Sequence, residues 1–137
     1  MSTQTQTTSF KSECWQAVHN LLTDTLQIAL YTGAASLDAS TTAYSTDNEA
    51  TGSGYTAGGL ILTGVTLGSL GYTVFASFSN PTWVGAITAR YALIYNSSKA
   101  NRSVAVLDFG ADKTSTVAFT ITLPANTVTT ALLRSSN

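Results

Sequence analysis

The sequence predicts an all-β fold: a single-domain, jelly-roll-like β-sandwich of about eight strands with one short N-terminal helix. Short runs of β-branched and aromatic residues recur after residue 25, with turn-forming residues between them. Two of these runs, Ile87–Tyr95 and Val104–Phe109, are largely apolar on both alternating faces. That composition is typical of strands in the middle of a sheet that is covered on both sides.

The chain has 137 residues, enough for one domain with its own core. Residues 1–8 contain only Met, Ser, Thr and Gln, so they have little apolar surface to bury. We therefore expect a flexible N-terminal arm at 1–8, followed by a sandwich domain at 9–137.

One segment has the spacing of an amphipathic helix. Its apolar residues are Phe10, Cys14, Trp15, Val18, Leu21 and Leu22. Ser9 or Ser12 is a suitable N-cap, and Asn20 or Asp24 is a suitable end. This is the only helix that the sequence predicts.

The remaining elements are predicted from alternating apolar residues and turn formers. A buried strand at 25–31 precedes a long loop around 33–57, which exceeds ordinary connection lengths and so indicates a functional or partner-binding segment. Further strands are expected at 58–67, 72–78, 87–95, 104–109, 117–123 and 128–133. Turns are expected at 68–71, 96–103, 108–113 and 124–126.

The chain carries unusually few charges. Asp, Glu, Lys and Arg make up 9% of the residues, against roughly 25% in an ordinary protein, and the net charge is −1. Binding to nucleic acid through phosphate neutralisation is therefore not predicted. Residues 50–89 contain no charged residue, although edge strands commonly carry charges that prevent pairing with other chains. Such a surface indicates contact with another protein, and the alternative is that Thr and Ser hydroxyls solvate its exposed positions.

No catalytic or metal-binding motif is present. Cys14 and His19 are the only cysteine and histidine, and their spacing of five places them on different sides of a helix. They are interpreted as a core thiol and a helix-end histidine. Asp38, Asp47 and Glu49 offer oxygen ligands without the rest of a calcium-loop pattern. Paired carboxylates of the glycosidase type depend on spatial positions that a sequence does not reveal.

We therefore predict no metal, no cofactor and no enzymatic activity. A single cysteine fits a reducing compartment of synthesis, and the polar start has no apolar signal region. No apolar run approaches membrane-spanning length, so no membrane partner is expected.

Three segments carry a family resemblance: the N-terminal helix that runs into His19-Asn20 and then residues 23–32, residues 42–49 with residues 52–59, and residues 87–110. Their overall pattern resembles small virion proteins of tailed bacteriophages, the capsid cement or head-decoration proteins with a jelly-roll-like fold. The resemblance implies a structural protein, made in the host cytoplasm, that binds the exterior of a capsid. There it would clamp neighbouring capsomers of the major capsid protein, as a homodimer more readily than as a trimer.

The residues expected at such an interface belong to the arm, the long loop, the uncharged interval and the tip of the 87–110 hairpin. They are Thr3, Thr5, Thr7, Tyr44, Tyr55, Thr66, Trp83, Lys99 and Arg102. A carbohydrate-binding jelly-roll module of a phage fibre or receptor-binding tip is the alternative, because two tryptophans and six tyrosines offer surfaces for stacking on sugars.

Overall fold

The computed structural model describes residues 3–136 and contains ten strands and one α-helix in that range. A 3-10 turn, Ser97–Lys99, joins the two longest strands. In chain order the elements are β1 (Thr3–Gln6), α1 (Thr8–Trp15), β2 (Leu26–Tyr31), β3 (Leu60–Ile61), β4 (Thr66–Leu70), β5 (Thr73–Ser77), β6 (Thr82–Val84), β7 (Ile87–Asn96), β8 (Arg102–Ser115), β9 (Ala118–Thr120) and β10 (Leu133–Ser135).

The strands form three antiparallel sheets. The large sheet has the order β1-β8-β7-β2-β3, a second sheet has the order β10-β5-β4, and β6 pairs with β9 in a small third sheet. The two smaller sheets pack on one face of the large sheet, and their shared core contains side chains from all three. The prediction of an all-β, sandwich-like domain with one short N-terminal helix is confirmed.

The hairpin β7–β8 lies inside the large sheet, as its two apolar faces predict. Ala92 and Ile94 belong to the main core beneath the smaller sheets, whereas Leu93 and Tyr95 belong to a second cluster on the opposite face. The register shifts after Ile94, so Val104 is an extra residue in β8. It packs with the main core, whereas Val106, with which it would share a face in a regular strand, packs in the second cluster.

The turn predicted at 108–113 is absent from the described chain. Asp108 pairs with Tyr91 and Lys113 pairs with Ala89, so the four residues 109–112 bulge outward opposite Arg90 while β8 continues. Gly110 has a positive φ of 82°, which suits such a bulge. Turn-forming residues therefore bend the strand here without reversing it.

Residues 3–8 are not a flexible arm, and that prediction is wrong for them. Strand β1 pairs antiparallel with β8, so that Thr3 lies opposite Asp108 and Gln6 lies opposite Ala105. This pairing makes β1 an edge strand of the large sheet. Thr7 is fully buried, and its N–H donates to the carbonyl of Val104 at 3.0 Å. The polar composition is tolerated because sheet pairing satisfies the main chain. Residues 1 and 2 lie outside the described residues.

The helix is shorter than its apolar spacing predicts. It begins after Thr7, whose hydroxyl accepts from the N–H of Phe10, and it ends at Trp15. Ala17 adopts a left-handed φ of 60°, and the N–H of Val18 donates to the carbonyl of Glu13. This pair of features is a Schellman motif, which stops the helix after two turns. No helix within residues 3–136 is long and apolar enough to cross a membrane.

Three other strand predictions differ in detail. The run at 58–67 divides into β3 and the start of β4, and the next turn falls at Gly71 and Tyr72 instead of 68–71. Val117 is exposed although its alternation predicts an inward side chain, whereas Phe119 is buried as predicted. The last strand, β10, begins five residues later than the run at 128–133.

The long loop covers the second face of the large sheet. Its side chains Ala35, Leu37 and Tyr44 pack on Tyr31 and Tyr95.

At the end of this loop the chain returns so closely to β2 that a Cβ on Gly59 would lie 1.8 Å from the carbonyl oxygen of Ile28. Gly59 also has a φ of 79°, so only glycine fits this approach.

We expect Gly59→Ala to lower the free energy of unfolding by more than about 2 kcal/mol, because the methyl group meets main-chain atoms that cannot move aside. Gly71→Ala is the matched control: it has a similar positive φ, with nothing within 4 Å of the added Cβ. It should cost only about 1 kcal/mol. Urea unfolding measures both values, and equal losses would contradict the close approach.

Candidate binding surface

A large apolar cleft opens between α1 and the sheet β10-β5-β4. Its volume is about 980 Å³. The lining residues come from β1, the helix and its C-terminal connection, and the three strands of the smaller sheet: Gln6, Thr8, Phe10, Lys11, Ser12, Cys14, Trp15, Leu21, Leu67, Gly68, Ser69, Val74, Phe75, Ala76, Leu133, Arg134 and Ser135. The volume is at the upper end of the range typical of ligand and peptide sites.

The cleft exists because the smaller sheet extends past the large sheet. On its inner face Ala76 and Leu133 are buried in the core, but Val74, two residues before Ala76 along β5, is exposed. Leu67, opposite Ala76 in the register, is exposed as well. An apolar inner face that continues beyond the core is a surface built to be covered.

The helix forms the opposite wall. Phe10 is its only buried residue and anchors it to the core, so the last turn is left at the rim of the cleft. There Trp15 is 93% exposed, and Cys14 is exposed beside it. The interpretation of Cys14 as a core thiol is therefore wrong, because the Schellman motif ends the helix before its apolar face reaches the core.

The charges at the cleft have one sign. Lys11 and Arg134 line it, and the lining contains no acidic side chain. Neither basic side chain makes an ion pair within residues 3–136, whereas Arg90, Lys99 and Arg102 are all paired with acids of the same chain. The cleft thus combines an apolar floor with two available positive charges.

A buried polar network ties the hairpin tip to the segment after the helix. Glu13 accepts from Nε2 of His19 at 2.8 Å and from Arg102 at 2.8 Å. The Asn96 amide donates to Nδ1 of His19 at 2.9 Å and to Asp24 at 2.8 Å. The amide orientation follows from the N–H of Ser98, which donates to Oδ1 of Asn96. Nδ1 of His19 is therefore an acceptor, and the ring proton lies on Nε2.

The acids of this network have lowered pKa values. Burial alone would raise the pKa of Glu13, but hydrogen bonds from His19 and Arg102 outweigh burial and hold that pKa below its usual range. Burial likewise opposes the shift at Asp24, whose pKa is lowered by bonds from the main chain of Asn20, from Asn96 and from Lys99. Both carboxylates are thus ionised structural acceptors.

A second polar cluster fastens the long loop. The Glu49 carboxylate accepts from the hydroxyls of Tyr44 and Tyr55 and from the N–H of Gly58 at 2.8 Å. The Tyr55 hydroxyl in turn accepts from the N–H of Leu30 at 3.0 Å. At that point of β2 the hydroxyl takes the place of a main-chain carbonyl from a neighbouring strand. Burial and the adjacent Glu49 raise the pKa of Tyr55.

These contacts decide where the predicted interface residues lie. Thr7 is buried, and Trp83 is only 3% exposed and lies in the core against Phe119. Neither side chain is available to a partner, so the prediction that these two residues belong to an interface is wrong. Tyr44 and Tyr55 are half-buried and held by Glu49. The residues that remain on the surface are Thr3, Thr5, Thr66, Lys99 and Arg102, the last two in ion pairs with Asp24 and Glu13. The structure does not gather them into one site.

The sequence does not predict the cleft residues as a group. It places Trp15 on the apolar face of a longer helix, and Leu67 and Val74 in ordinary strands. The available signal was the uncharged interval, which contains Leu67 and Val74. Asp38, Asp47 and Glu49 are not brought together, and residues 3–136 contain no group of three or more His, Cys, Asp or Glu side chains arranged for a metal ion.

Comparison with protein-family models, curated proteins and solved structures finds no match to this chain. The resemblance to phage decoration proteins therefore stays a prediction from the sequence, and the cleft is interpreted from its own geometry.

We expect Tyr55→Phe to lower the free energy of unfolding by about 1–3 kcal/mol, because the N–H of Leu30 loses its acceptor and Glu49 loses a donor. Tyr72→Phe is the matched control, since Tyr72 is exposed at a turn. Chemical denaturation of both variants tests the role of the cluster. Losses of the same size would show that the Tyr55 hydroxyl does not fasten the loop.

Acid should weaken the network around Glu13. Because the folded-state pKa values of Glu13 and Asp24 are lowered, their stabilising contribution is complete above pH of about 5 and is lost as pH falls through the folded-state values. Glu13→Gln should cost about 1–3 kcal/mol at pH 7, with a smaller deficit at pH 3. Asp47→Asn, an exposed acid, serves as the control. A deficit for Glu13→Gln that is independent of pH would contradict this account.

Proposed function

We propose that this chain is a structural virion protein of a tailed bacteriophage, a decoration or cement protein that binds the exterior of the capsid. The observation that carries the proposal is the open apolar cleft with an exposed tryptophan at its rim, on a surface with few charges. The sequence resemblance to head-decoration proteins supports the same function. The partner is the major capsid protein, and the location is the outside of the virion.

The physical basis of cementing is mass action. A protein that binds only the assembled shell stabilises that shell by an amount set by its concentration and affinity. Such a protein needs a binding surface and no chemistry. Both ring nitrogens of His19 are engaged in hydrogen bonds, and Glu49 holds two tyrosines, so these acid–base groups serve the fold. We therefore assign the chain to binding proteins and not to enzymes.

The occupant that fits the cleft best is an apolar segment of the capsid protein that carries a carboxylate. Leu67, Val74 and Trp15 offer apolar contact. Lys11 and Arg134, which make no ion pair within residues 3–136, attract an acidic side chain, and Arg134 is positioned by a bond from its guanidinium to the carbonyl of Thr129. A tryptophan that becomes buried on binding, with a complementary charge nearby, is the usual composition of an energetic hot spot in protein interfaces.

A carbohydrate ligand is the second candidate, favoured by the exposed indole of Trp15 beside a concave surface. Sugars need several polar side chains around the stacking aromatic ring, whereas the floor of this cleft is formed by leucine, valine, alanine and phenylalanine. The second tryptophan, Trp83, is in the core and cannot take part. The composition therefore favours a protein segment.

The first test is the composition of the virion. Particles from the source of this sequence are purified on a density gradient, and the chain should be present in a fixed ratio to the major shell protein. Absence of the chain from purified particles would refute the proposed function, and so would micromolar binding on a glycan array without affinity for capsids.

The second test is Trp15→Ala, which should reduce capsid affinity at least about tenfold, since truncated hot-spot residues cost 2 kcal/mol or more. The fold should be unchanged, because Trp15 is almost fully exposed. Val117→Ala, an exposed apolar residue that does not line the cleft, is the matched control. Capsid pelleting with quantified occupancy measures the effect, and equal occupancy for both variants would exclude the cleft as the capsid-binding site.

A further inference from the structure

Strand β4 is an unprotected sheet edge. It pairs with β5 on one side only, over the five residues Thr66–Leu70. The two-residue turn at Gly71 and Tyr72 makes Leu70 and Thr73 a hydrogen-bonded pair. Because main-chain groups alternate along a strand, the N–H and C=O groups of Leu67 and Ser69 point away from β5, toward the free edge.

The other edges in the described chain are short or covered. The Gln6 side-chain amide donates to the carbonyl of Arg134 in β10 at 2.6 Å. The Gln4 side-chain amide donates to the carbonyl of Thr130, in the segment before β10. These bonds hold the β1 and β10 edges against each other. Strand β3 has only two residues. β4 is longer than either β1 or β3 and has no charge or proline, and the Asn126 side-chain amide donates to the carbonyl of its first residue, Thr66, at 3.3 Å.

We propose that β4 pairs antiparallel with β4 of a second copy, so that two three-stranded sheets become one sheet of six strands. A two-fold axis perpendicular to the sheet through Gly68 places Leu67 opposite Ser69 of the other copy. These two residues are the ones whose main-chain groups face outward, so this register satisfies all of them through four hydrogen bonds. The register centred on Ser69 would instead pair Leu67 with the turn residue Gly71.

Charge explains why the occupant is a second copy. At a two-fold axis a residue that faces a second residue of the other copy has the same pair repeated across the axis, so a charge close to the axis also lies close to its own copy and is repelled by it. Residues 50–89 contain no charge, and they include the whole β4–β5 hairpin. A free edge strand that can pair with its own copy meets that partner at the concentration of the chain itself, so it pairs unless a charge or a proline blocks it. Strand β4 contains neither a charge nor a proline.

Apolar side chains beside the edge extend the contact. Edge pairing alone buries less than the roughly 800 Å² per partner of a standard interface. Leu70, the last residue of β4, and Tyr72, in the turn that follows, are 64% and 87% exposed and can add apolar area. The axis keeps the inner faces of both sheets on the same side, so the two clefts lie next to each other. The pairing does not depend on capsid binding, and a dimer would present two clefts to a shell.

The test uses the isolated chain in sedimentation equilibrium across a concentration series. A reversible monomer–dimer equilibrium in the micromolar range is expected. A chain that stays monomeric at hundreds of micromolar, or that forms trimers, would overturn the proposal. Because no capsid is present, this outcome is independent of whether the chain is found in virions.

A charge-swap experiment tests the register. In the proposed pairing Thr66 of one copy lies opposite Leu70 of the other, whereas within one chain the two residues are four positions apart. Thr66→Lys and Leu70→Glu should each weaken dimerisation at least tenfold, and the double variant should recover to within about threefold of the original, since lysine and glutamate then face each other across the axis. Thr51→Lys, in the same uncharged interval but outside β4, should leave dimerisation unchanged.

Both substituted side chains are exposed, so the variants should fold, which circular dichroism checks. A double variant no stronger than the single ones would refute the antiparallel register. Hydrogen exchange on the unmodified chain provides a test that needs no variant. The amides of Leu67 and Ser69 should become protected as concentration rises through the dimerisation range, and unchanged protection would overturn the proposal.

Discussion

Burial of the β7–β8 hairpin on both faces is the constraint on which the rest of the structure depends. Ile94 faces the main core and Leu93 faces the second cluster, and both are fully buried. A pair of strands with two apolar faces requires a cover on each side. The smaller sheets supply one cover, and the loop after β2 supplies the other. The length of that loop therefore has a structural cause.

Buried polar groups hold these covers in place. Glu49 fastens the long loop through two tyrosine hydroxyls, and Glu13 and Asp24 fasten the segment after the helix to the hairpin tip. Satisfied polar groups in a low-dielectric interior specify one arrangement, because every alternative leaves a donor or acceptor unpaired. The half-buried acids Glu13, Asp24 and Glu49 thus fasten the fold, and residues 50–89 leave a large part of the chain without charge.

The same arrangement leaves two features uncovered. The helix ends after Trp15, so it cannot reach across the inner face of the β10-β5-β4 sheet, and the cleft stays open. The hairpin β4–β5 then ends as a free edge without a charge. The cleft and the edge adjoin each other through Leu67, which lines the one and belongs to the other. An apolar cleft beside an unprotected edge is suited to protein association.

The sequence by itself determined the fold class, because strand alternation and local turn residues act over a few neighbours. The two-sided burial of 87–110 follows from composition alone, and so does the absence of charge from 50–89. Only the tertiary structure decided the conformation of residues 3–6, since a polar segment becomes a strand when a sheet edge is available to pair with it. It also decided that Trp83 is buried and Trp15 is exposed, because the burial of an indole depends on which distant elements pack against it: Trp83 lies against Phe119 of β9. The cleft was beyond sequence reasoning for the same reason: β1, the helix and the strands that line it meet only in the folded chain.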